Sequence, residues 1–246
     1  MSSAQSFPPT IRIGILVYDG FEPIDVWGFV EAFAISRFIG TGYGSPPPYP
    51  FEILFISNQV KPSENAGQSP APVKSNNGPR VAPDMFRGDA LTQPFDLLMI
   101  PGGATQTILD PSNPDTMNAL LDWVKKMDKR VHLMTSVCTG AAVLAAAGLL
   151  DGKPATTNHN AFGWVAGFGP LVLWNNVSRW VDAGHYVTSA GVSSGTDMAF
   201  HLVERLRGRA VAETSAKEAE YEWHRNPDEP IYYPPQAQVP NGSGGS

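Results

Sequence analysis

Short apolar runs alternate along the chain with longer segments in which apolar residues recur every three or four positions. The short runs are Ile11 to Val17, Phe51 to Ser57, Phe95 to Ile100 and Arg130 to Val137. Runs of this length between turn residues are typical of buried strands, whereas the longer spacing is typical of amphipathic helices. Strands that alternate with helices predict an α/β fold around a mostly parallel sheet.

The helical spacing occurs in enough segments to cover both faces of such a sheet, which predicts a three-layer sandwich. Near the end of the pattern, Val177 to Asp182 and His185 to Ser189 flank Ala183-Gly184, which predicts a hairpin or two short strands. The predicted helices begin at Pro23 and Pro114 or span Thr139 to Leu150, Ser194 to Arg207 and Ala210 to Trp223.

The pattern predicts a single α/β domain over residues 10–224. We expect residues 1–9 and the Pro-rich residues 225–246 to be disordered, and the final NGSGGS is typical of a flexible linker. Within the domain, Gly40 to Pro50 is dominated by Gly and Pro and predicts a loop. The polar segment Pro62 to Pro83 is long enough to form a flap or arm.

The composition narrows the class of protein. The 246 residues carry a net charge of −6, which gives no electrostatic basis for binding nucleic acid or an anionic membrane. The chain shows neither a signal-peptide pattern nor an apolar run of membrane-spanning length, so we expect a cytoplasmic protein. A single cysteine excludes an intrachain disulfide. We expect no metal and no cofactor, because no histidine pair has ligand spacing and no phosphate loop or dinucleotide fingerprint is present.

Cys138 is the strongest candidate for a catalytic side chain. A lone cysteine is often a small buried apolar residue, but this one lies between a predicted strand and a predicted helix. Small residues such as Gly140 surround it, as a nucleophile elbow requires, and ligands of open α/β sheets bind at the carboxyl ends of strands. Because helix-start amides favour a thiolate, we expect the Cys138 thiol to be more acidic than a free thiol.

Two other segments end at the same edge of the predicted sheet. Gly102 and Gly103 follow the strand before the cysteine, and their amides, with that of Thr139, are candidates for an oxyanion hole. Asp25 follows Pro23 and is either a first-turn residue of the helix or an acid facing Cys138.

Two further titratable residues are weaker candidates. Glu22 is the competing acid in the first loop, and we expect it to be solvated. His159 follows the helix that comes after the cysteine, where it either reaches the site or has a structural role.

At these residues the chain resembles the ThiJ/PfpI superfamily, whose fold is like that of class I glutamine amidotransferase domains. The resemblance runs from about Ile11 to Gly208. It implies a flavodoxin-like sheet with a nucleophile elbow. The segments that carry it are ILVYDGFEPIDVWG, NNGPRVAPD, FDLLMIPGG, SVCTGAAVLAAAGLLDGKPATTN and VTSAGVSSGTDMAFHLVERL.

Within the superfamily, the isocyanide hydratase-like branch is the most similar, since Val137 to Gly140 reads Val-Cys-Thr-Gly and the first-loop acid is Asp25. The resemblance implies that Cys138 attacks an isocyanide carbon, that Asp25 activates water, and that Thr139 assists polarisation to give an N-substituted formamide. Where many relatives read Thr-Thr-His-Trp, this chain reads Thr-Thr-Asn-His-Asn, and Glu220 to Arg225 resembles fungal members.

Other functions of the superfamily stay open. These are a glyoxalase, deglycase or amide hydrolase, a lyase or cyclase of secondary metabolism, and a redox sensor in which Cys138 is oxidised to sulfinic acid. In the enzymatic cases we expect a small-molecule substrate and a homodimer.

Overall fold

A computed structural model describes residues 6–61 and 67–229. The strands are β1 (Ile11–Val17), β2 (Phe51–Ser57), β3 (Val73–Lys74), β4 (Arg80–Val81), β5 (Met85–Phe86), β6 (Leu97–Ile100), β7 (Leu133–Ser136), β8 (Pro154–Ala155), β9 (Leu173–Trp174), β10 (Trp180–Ala183) and β11 (Tyr186–Ser189). The helices are α1 (Pro23–Ala34), α2 (Arg87–Ala90), α3 (Pro114–Asp128), α4 (Ala141–Ala146), α5 (Phe162–Ala166), α6 (Val192–Arg207) and α7 (Arg209–Glu218), with 3₁₀ turns at Thr105–Thr107 and Cys138–Gly140.

The central sheet has seven strands in the order β10-β11-β7-β6-β1-β2-β5. All neighbouring pairs in it are parallel except the edge hairpin of β10 and β11, which is antiparallel. From β2 to β11 the strands follow the order of a flavodoxin-like sheet, in which the first strand lies between the second and the third. The predicted α/β class and mostly parallel sheet are therefore confirmed.

Helices cover both faces of the sheet. Helix α1 connects β1 to β2, which lies on one side of β1 in the sheet. Helix α3 connects β6 to β7, and this step runs toward the opposite edge of the sheet. Because such crossovers are right-handed, the two helices lie on opposite faces. Helix α1 packs against α6, and α3 packs against α4. The three layers explain why all four residues of β6 are buried.

The packed layers place a large apolar core around the central strands. Ile13, Ile15 and the four residues of β6 have no exposed surface. Burying a side chain of this size contributes about 1.5–3 kcal/mol relative to leaving it in water, so these strands form a rigid base for the loops at their carboxyl ends.

Several elements are shorter than the apolar pattern predicts. The helix predicted over Thr139 to Leu150 is α-helical only in α4, and Gly148 then turns the chain with a φ of +72°. The last predicted helix ends at Glu218, before Glu220 takes a φ of +48°. Apolar residues beyond these turns still pack on the core, so periodicity alone overestimates helix length.

The first of the two long connections is a loop, as predicted, and the second is described only in part. Residues 40–50 form a loop without helix or strand. In the segment predicted as a flap, residues 62–66 lie outside the described part, and β3 and β4 form a small hairpin. The N–H of Asn76, in its turn, donates to the Phe21 carbonyl over 2.8 Å, which holds the hairpin beside the loop after β1.

The described residues at both ends of the domain make defined contacts. The Phe7 ring stacks on Phe38 with centroids 4.7 Å apart. At the other end the Arg179 N–H donates to the Pro227 carbonyl over 2.7 Å. The predicted disorder therefore does not extend to residues 6–9 or 225–229, while residues 1–5 and 230–246 lie outside the described part. No helix in the described ranges is long and apolar enough to cross a membrane.

Candidate active site

Cys138 lies in a strained turn directly after β7. Its φ of +58° is in the left-handed region, which non-glycine residues rarely occupy. The Cys138 N–H donates to the Ala190 carbonyl over 3.0 Å, and a Cβ on Gly140 would lie 2.1 Å from the Ile100 carbonyl oxygen. The turn therefore needs glycine at position 140, and its geometry is that of the predicted nucleophile elbow.

Asp25 lies in the first turn of α1 but does not cap that helix. Its side chain is completely buried, and its Oδ2 accepts a hydrogen bond of 2.8 Å from the N–H of Gly102. The carboxyl group also lies close enough to Cys138 for each group to shift the pKa of the other, and its Oδ1 has no hydrogen-bond partner in the described residues. Of the two interpretations of Asp25, the structure supports the acid that faces Cys138.

The surroundings of Asp25 favour its protonated form. Burial raises the pKa of Asp25 from 3.8 to about 7, and the nearby charge of Glu22 adds to the rise. The N–H of Gly102 and the Cys138 side chain act in the opposite direction. A carboxyl group with a pKa near neutrality can both give and take a proton, which is the property of a general acid-base group.

The expectation of an unusually acidic Cys138 thiol is wrong in this structure. Burial raises its pKa to about 12, and the Asp25 and Glu22 carboxylates raise it further by repelling a thiolate. The Thr139 N–H and the Asn158 side chain lower it through hydrogen bonds. The turn that begins at Cys138 is 3₁₀ and leads into a helix of only six residues. The stabilisation of a thiolate by the helix start is therefore smaller than the effect of burial and of the two carboxylates.

Gly102 has a different role from the one predicted. The Gly102 N–H donates to Asp25 Oδ2, so this N–H is not part of an oxyanion hole. A Cβ at this position would lie 2.7 Å from the Thr139 nitrogen and 2.9 Å from Asp25 Oδ2. Gly102 therefore allows Asp25 and Thr139 to approach each other. Gly103 lines the crevice above Cys138, with a φ of +111°.

The Thr139 side chain belongs to a buried hydroxyl network. Its Oγ1 lies 2.7 Å from Thr105 Oγ1, which in turn lies 3.3 Å from the Tyr18 hydroxyl. Tyr18 donates to the Gly102 carbonyl over 2.8 Å. This network fixes the loops around the elbow, and the Thr139 backbone N–H is the group that faces the sulfur.

The residue that reaches the site after α4 is Asn158 rather than His159. Asn158 lines the crevice with Cys138 and lowers the pKa of its thiol, and His159 is not among the lining residues. The His159 side chain is partly buried, and its Nε2 has no partner in the described residues. Thr157 was also missed by the sequence analysis, and its hydroxyl donates to the Cys138 carbonyl over 2.8 Å.

The crevice above the sulfur is small and acidic. Its volume is about 260 Å³, which suits a small molecule. Glu22 lies at its edge, where Asn76 donates to its carboxylate over 3.3 Å at an exposed position. No lining residue is a Lys or an Arg, so the site favours uncharged substrates over anions. The residues that line it are Glu22, Asn76, Gly103, Cys138, Thr139, Asn158 and Val192.

In the described ranges, no group of three or more His, Cys, Asp or Glu side chains is placed to bind a metal ion.

Comparisons with known proteins identify the family of the chain. The model of the DJ-1/PfpI family matches residues 11–205. Isonitrile hydratase from Pseudomonas putida is 32% identical over 150 residues, which are 61% of each chain. The glutathione-independent glyoxalase DJR-1.2 from Caenorhabditis elegans is 30% identical over 143 residues, or 58% of this chain and 72% of that protein. A ThiJ/PfpI family protein from Pseudomonas syringae superposes with a TM-score of 0.68 at 25% identity, covering 90% of this chain and 83% of its own.

Proposed function

We propose that this chain, which belongs to the DJ-1/PfpI family, is a cofactor-independent cysteine enzyme that hydrates an isocyanide to an N-substituted formamide. The observation that carries the proposal is the pair formed by the Cys138 sulfur and a buried Asp25 whose pKa is about 7. The likeness to isonitrile hydratase supports it at the level of the reaction class.

The chemistry of an isocyanide matches this pair. Its terminal carbon carries a lone pair, so the same carbon takes up the nucleophile and then a proton. Asp25 takes the proton of the Cys138 thiol as the sulfur forms the C–S bond, and it delivers that proton to the same carbon to give a thioimidate. An acid that lies near the sulfur is therefore placed close to the carbon that must be protonated.

The second half of the reaction uses the same carboxyl group in its ionised form. Asp25 accepts a proton from water as the water oxygen bonds to the thioimidate carbon. Asp25 passes that proton to the imine nitrogen, which leaves a hydroxyl group on the carbon. The C–S bond then breaks with its electron pair on sulfur as the C=O bond forms, the hydroxyl proton passes through Asp25 to the sulfur, and the formamide leaves. One molecule of water is added overall, and no redox partner or cofactor is consumed. General acid-base catalysis of this kind contributes about 10²–10⁴-fold to the rate.

The raised thiol pKa favours an enzyme over a redox sensor. Oxidation of a cysteine proceeds through its thiolate, and sensor cysteines are typically acidic and accessible. Cys138 is 7% exposed, and its pKa is raised rather than lowered. A reaction that forms the thiolate only when Asp25 accepts the proton fits these surroundings better than spontaneous oxidation.

The experiment is a substrate panel with product analysis. Purified protein is incubated with small alkyl isocyanides, methylglyoxal and a peptide amide in water labelled with heavy oxygen. We expect labelled formamide from the isocyanides and none from Cys138→Ser. Lactate from methylglyoxal without formamide would establish the glyoxalase alternative, and an absence of formamide from every isocyanide would refute the hydratase.

A further inference from the structure

We propose that Asn158 is a catalytic residue of this site, whose side-chain amide donates a hydrogen bond to the reacting sulfur of Cys138. The inference rests on the proposed function in its chemistry, but it concerns two residues that line the same crevice without substrate. Asn158 and Cys138 line the same crevice, and the Asn158 side chain lowers the pKa of the thiol.

The loop fixes which end of the Asn158 amide faces the sulfur. Its Oδ1 accepts the N–H of Ala161 over 3.0 Å, so the oxygen is held within the loop. A Cβ on Gly191 would lie 3.3 Å from Nδ2, which places the nitrogen against the turn that leads into α6. Val192, which follows that turn, lines the same crevice. The amide therefore presents a donor to the crevice.

A second contact joins the loop directly to the elbow. The Thr157 hydroxyl, buried and adjacent to Asn158, donates to the Cys138 carbonyl over 2.8 Å. Asn158 is thus anchored on both sides, by Thr157 to the elbow and by Ala161 to its own loop. Such anchoring reduces the reorganisation needed when charge develops on sulfur.

The donor compensates for an acidic site. Burial and two carboxylates raise the pKa of the thiol, whereas the Thr139 N–H and the Asn158 side chain lower it. An amide stabilises the thiolate without carrying a titratable proton of its own. In the proposed reaction it acts before attack, and again when the C–S bond breaks and the electron pair returns to sulfur. Proton transfer is left to Asp25.

The test measures the rate at which iodoacetamide alkylates Cys138 across neutral and alkaline pH, which does not depend on turnover. We expect Asn158→Ala to react about tenfold more slowly than the unchanged protein at each pH below the thiol pKa. Losing a hydrogen bond to a charged group lowers the thiolate fraction by about this factor. Asn158→Asp is expected to react more slowly still, because it adds a third carboxylate beside the sulfur.

Asn158→Asp keeps an acceptor for the Ala161 N–H, so it tests the donor even if Asn158→Ala fails to fold. Asn160→Ala, at an exposed position of the same loop, is the matched control and should react at the original rate. Alkylation of folded Asn158→Asp at the original rate would overturn the proposal. Slower alkylation in a protein that hydrates no isocyanide would leave the donor role intact and refute only the proposed reaction.

Discussion

Replacing Asp25 by Asn is expected to stabilise the fold at alkaline pH while it removes the acid-base group of the site. The pKa of Asp25 rises from 3.8 in its usual setting to about 7 in the folded chain. Because one pKa unit corresponds to about 1.4 kcal/mol, ionised Asp25 destabilises the folded state by about 4 kcal/mol. This is a large fraction of the roughly 5–15 kcal/mol that stabilises a typical domain.

Because the pKa of Asp25 is raised in the folded chain, the stability of the fold falls as the pH rises. Below pH 3.8 the carboxyl group is protonated in both the folded and the unfolded chain, so it does not lower the free energy of unfolding. As the pH rises toward about 7, the unfolded chain loses the proton first, and the destabilisation grows until the folded carboxyl group also ionises. Asn at position 25 has no such titration and keeps an acceptor for the Gly102 N–H.

Urea unfolding at a series of pH values checks this prediction. The difference in unfolding free energy between Asp25→Asn and the unchanged protein should move in favour of the variant by about 4 kcal/mol between about pH 4 and about pH 8. Asp115→Asn, an exposed substitution in the first turn of α3, serves as the control and should show a nearly constant difference. A constant difference for Asp25→Asn as well would refute the assignment of a buried carboxyl group with a raised pKa.

Three further predictions concern the sulfur, the crevice and the fold. Cys138→Ser should retain the fold by circular dichroism but lose formamide production entirely, and a few per cent of residual turnover would exclude covalent catalysis. Glu22→Gln removes a charge that raises the pKa of both Asp25 and Cys138, so alkylation of the thiol should become faster at a given pH. An unchanged alkylation rate would show that Glu22 is screened by solvent. Asp197→Asn weakens the buried ion pair with Arg179 and should lower the unfolding free energy measured in urea by about 3–5 kcal/mol. A loss below about 1 kcal/mol would place this pair with weak surface ion pairs.

Much of the fold was predictable because apolar periodicity follows burial. The runs at β1 and β2 match their strands residue for residue, since both lie within the covered sheet. Element ends were less predictable, because they depend on left-handed residues such as Gly148, whose conformation follows from tertiary packing rather than periodicity.

The candidate site was predictable to the level of its loops but not of its contacts. Cys138, Asp25 and Gly103 all follow strands of one sheet edge, which topology brings together. The choice between Asn158 and His159 depends on the Oδ1 contact with the Ala161 N–H, which fixes the loop conformation. Chemical reactivity made the histidine the candidate, and the sequence alone does not decide whether it reaches the site.

The reactivity of the thiol was mispredicted for a related reason. A position at a strand-helix junction indicates amides near sulfur, and the Thr139 N–H does face it. The same topology also brings Asp25 into a fully buried position against the thiol. Desolvation and like charge then exceed the contribution of the amides, and this balance depends on burial that local sequence does not report.

Residues 225–229, which the sequence predicts to be disordered, are connected to the elbow at Cys138 through consecutive backbone hydrogen bonds. The Arg179 N–H donates to the Pro227 carbonyl, and the Ala190 N–H donates to the Arg179 carbonyl, each over 2.7 Å. The Cys138 N–H then donates to the Ala190 carbonyl. Because the strained φ of Cys138 persists only where its surroundings fix it, each of these contacts helps to hold the sulfur in place. Residues 225–229 are therefore part of the scaffold that positions the nucleophile.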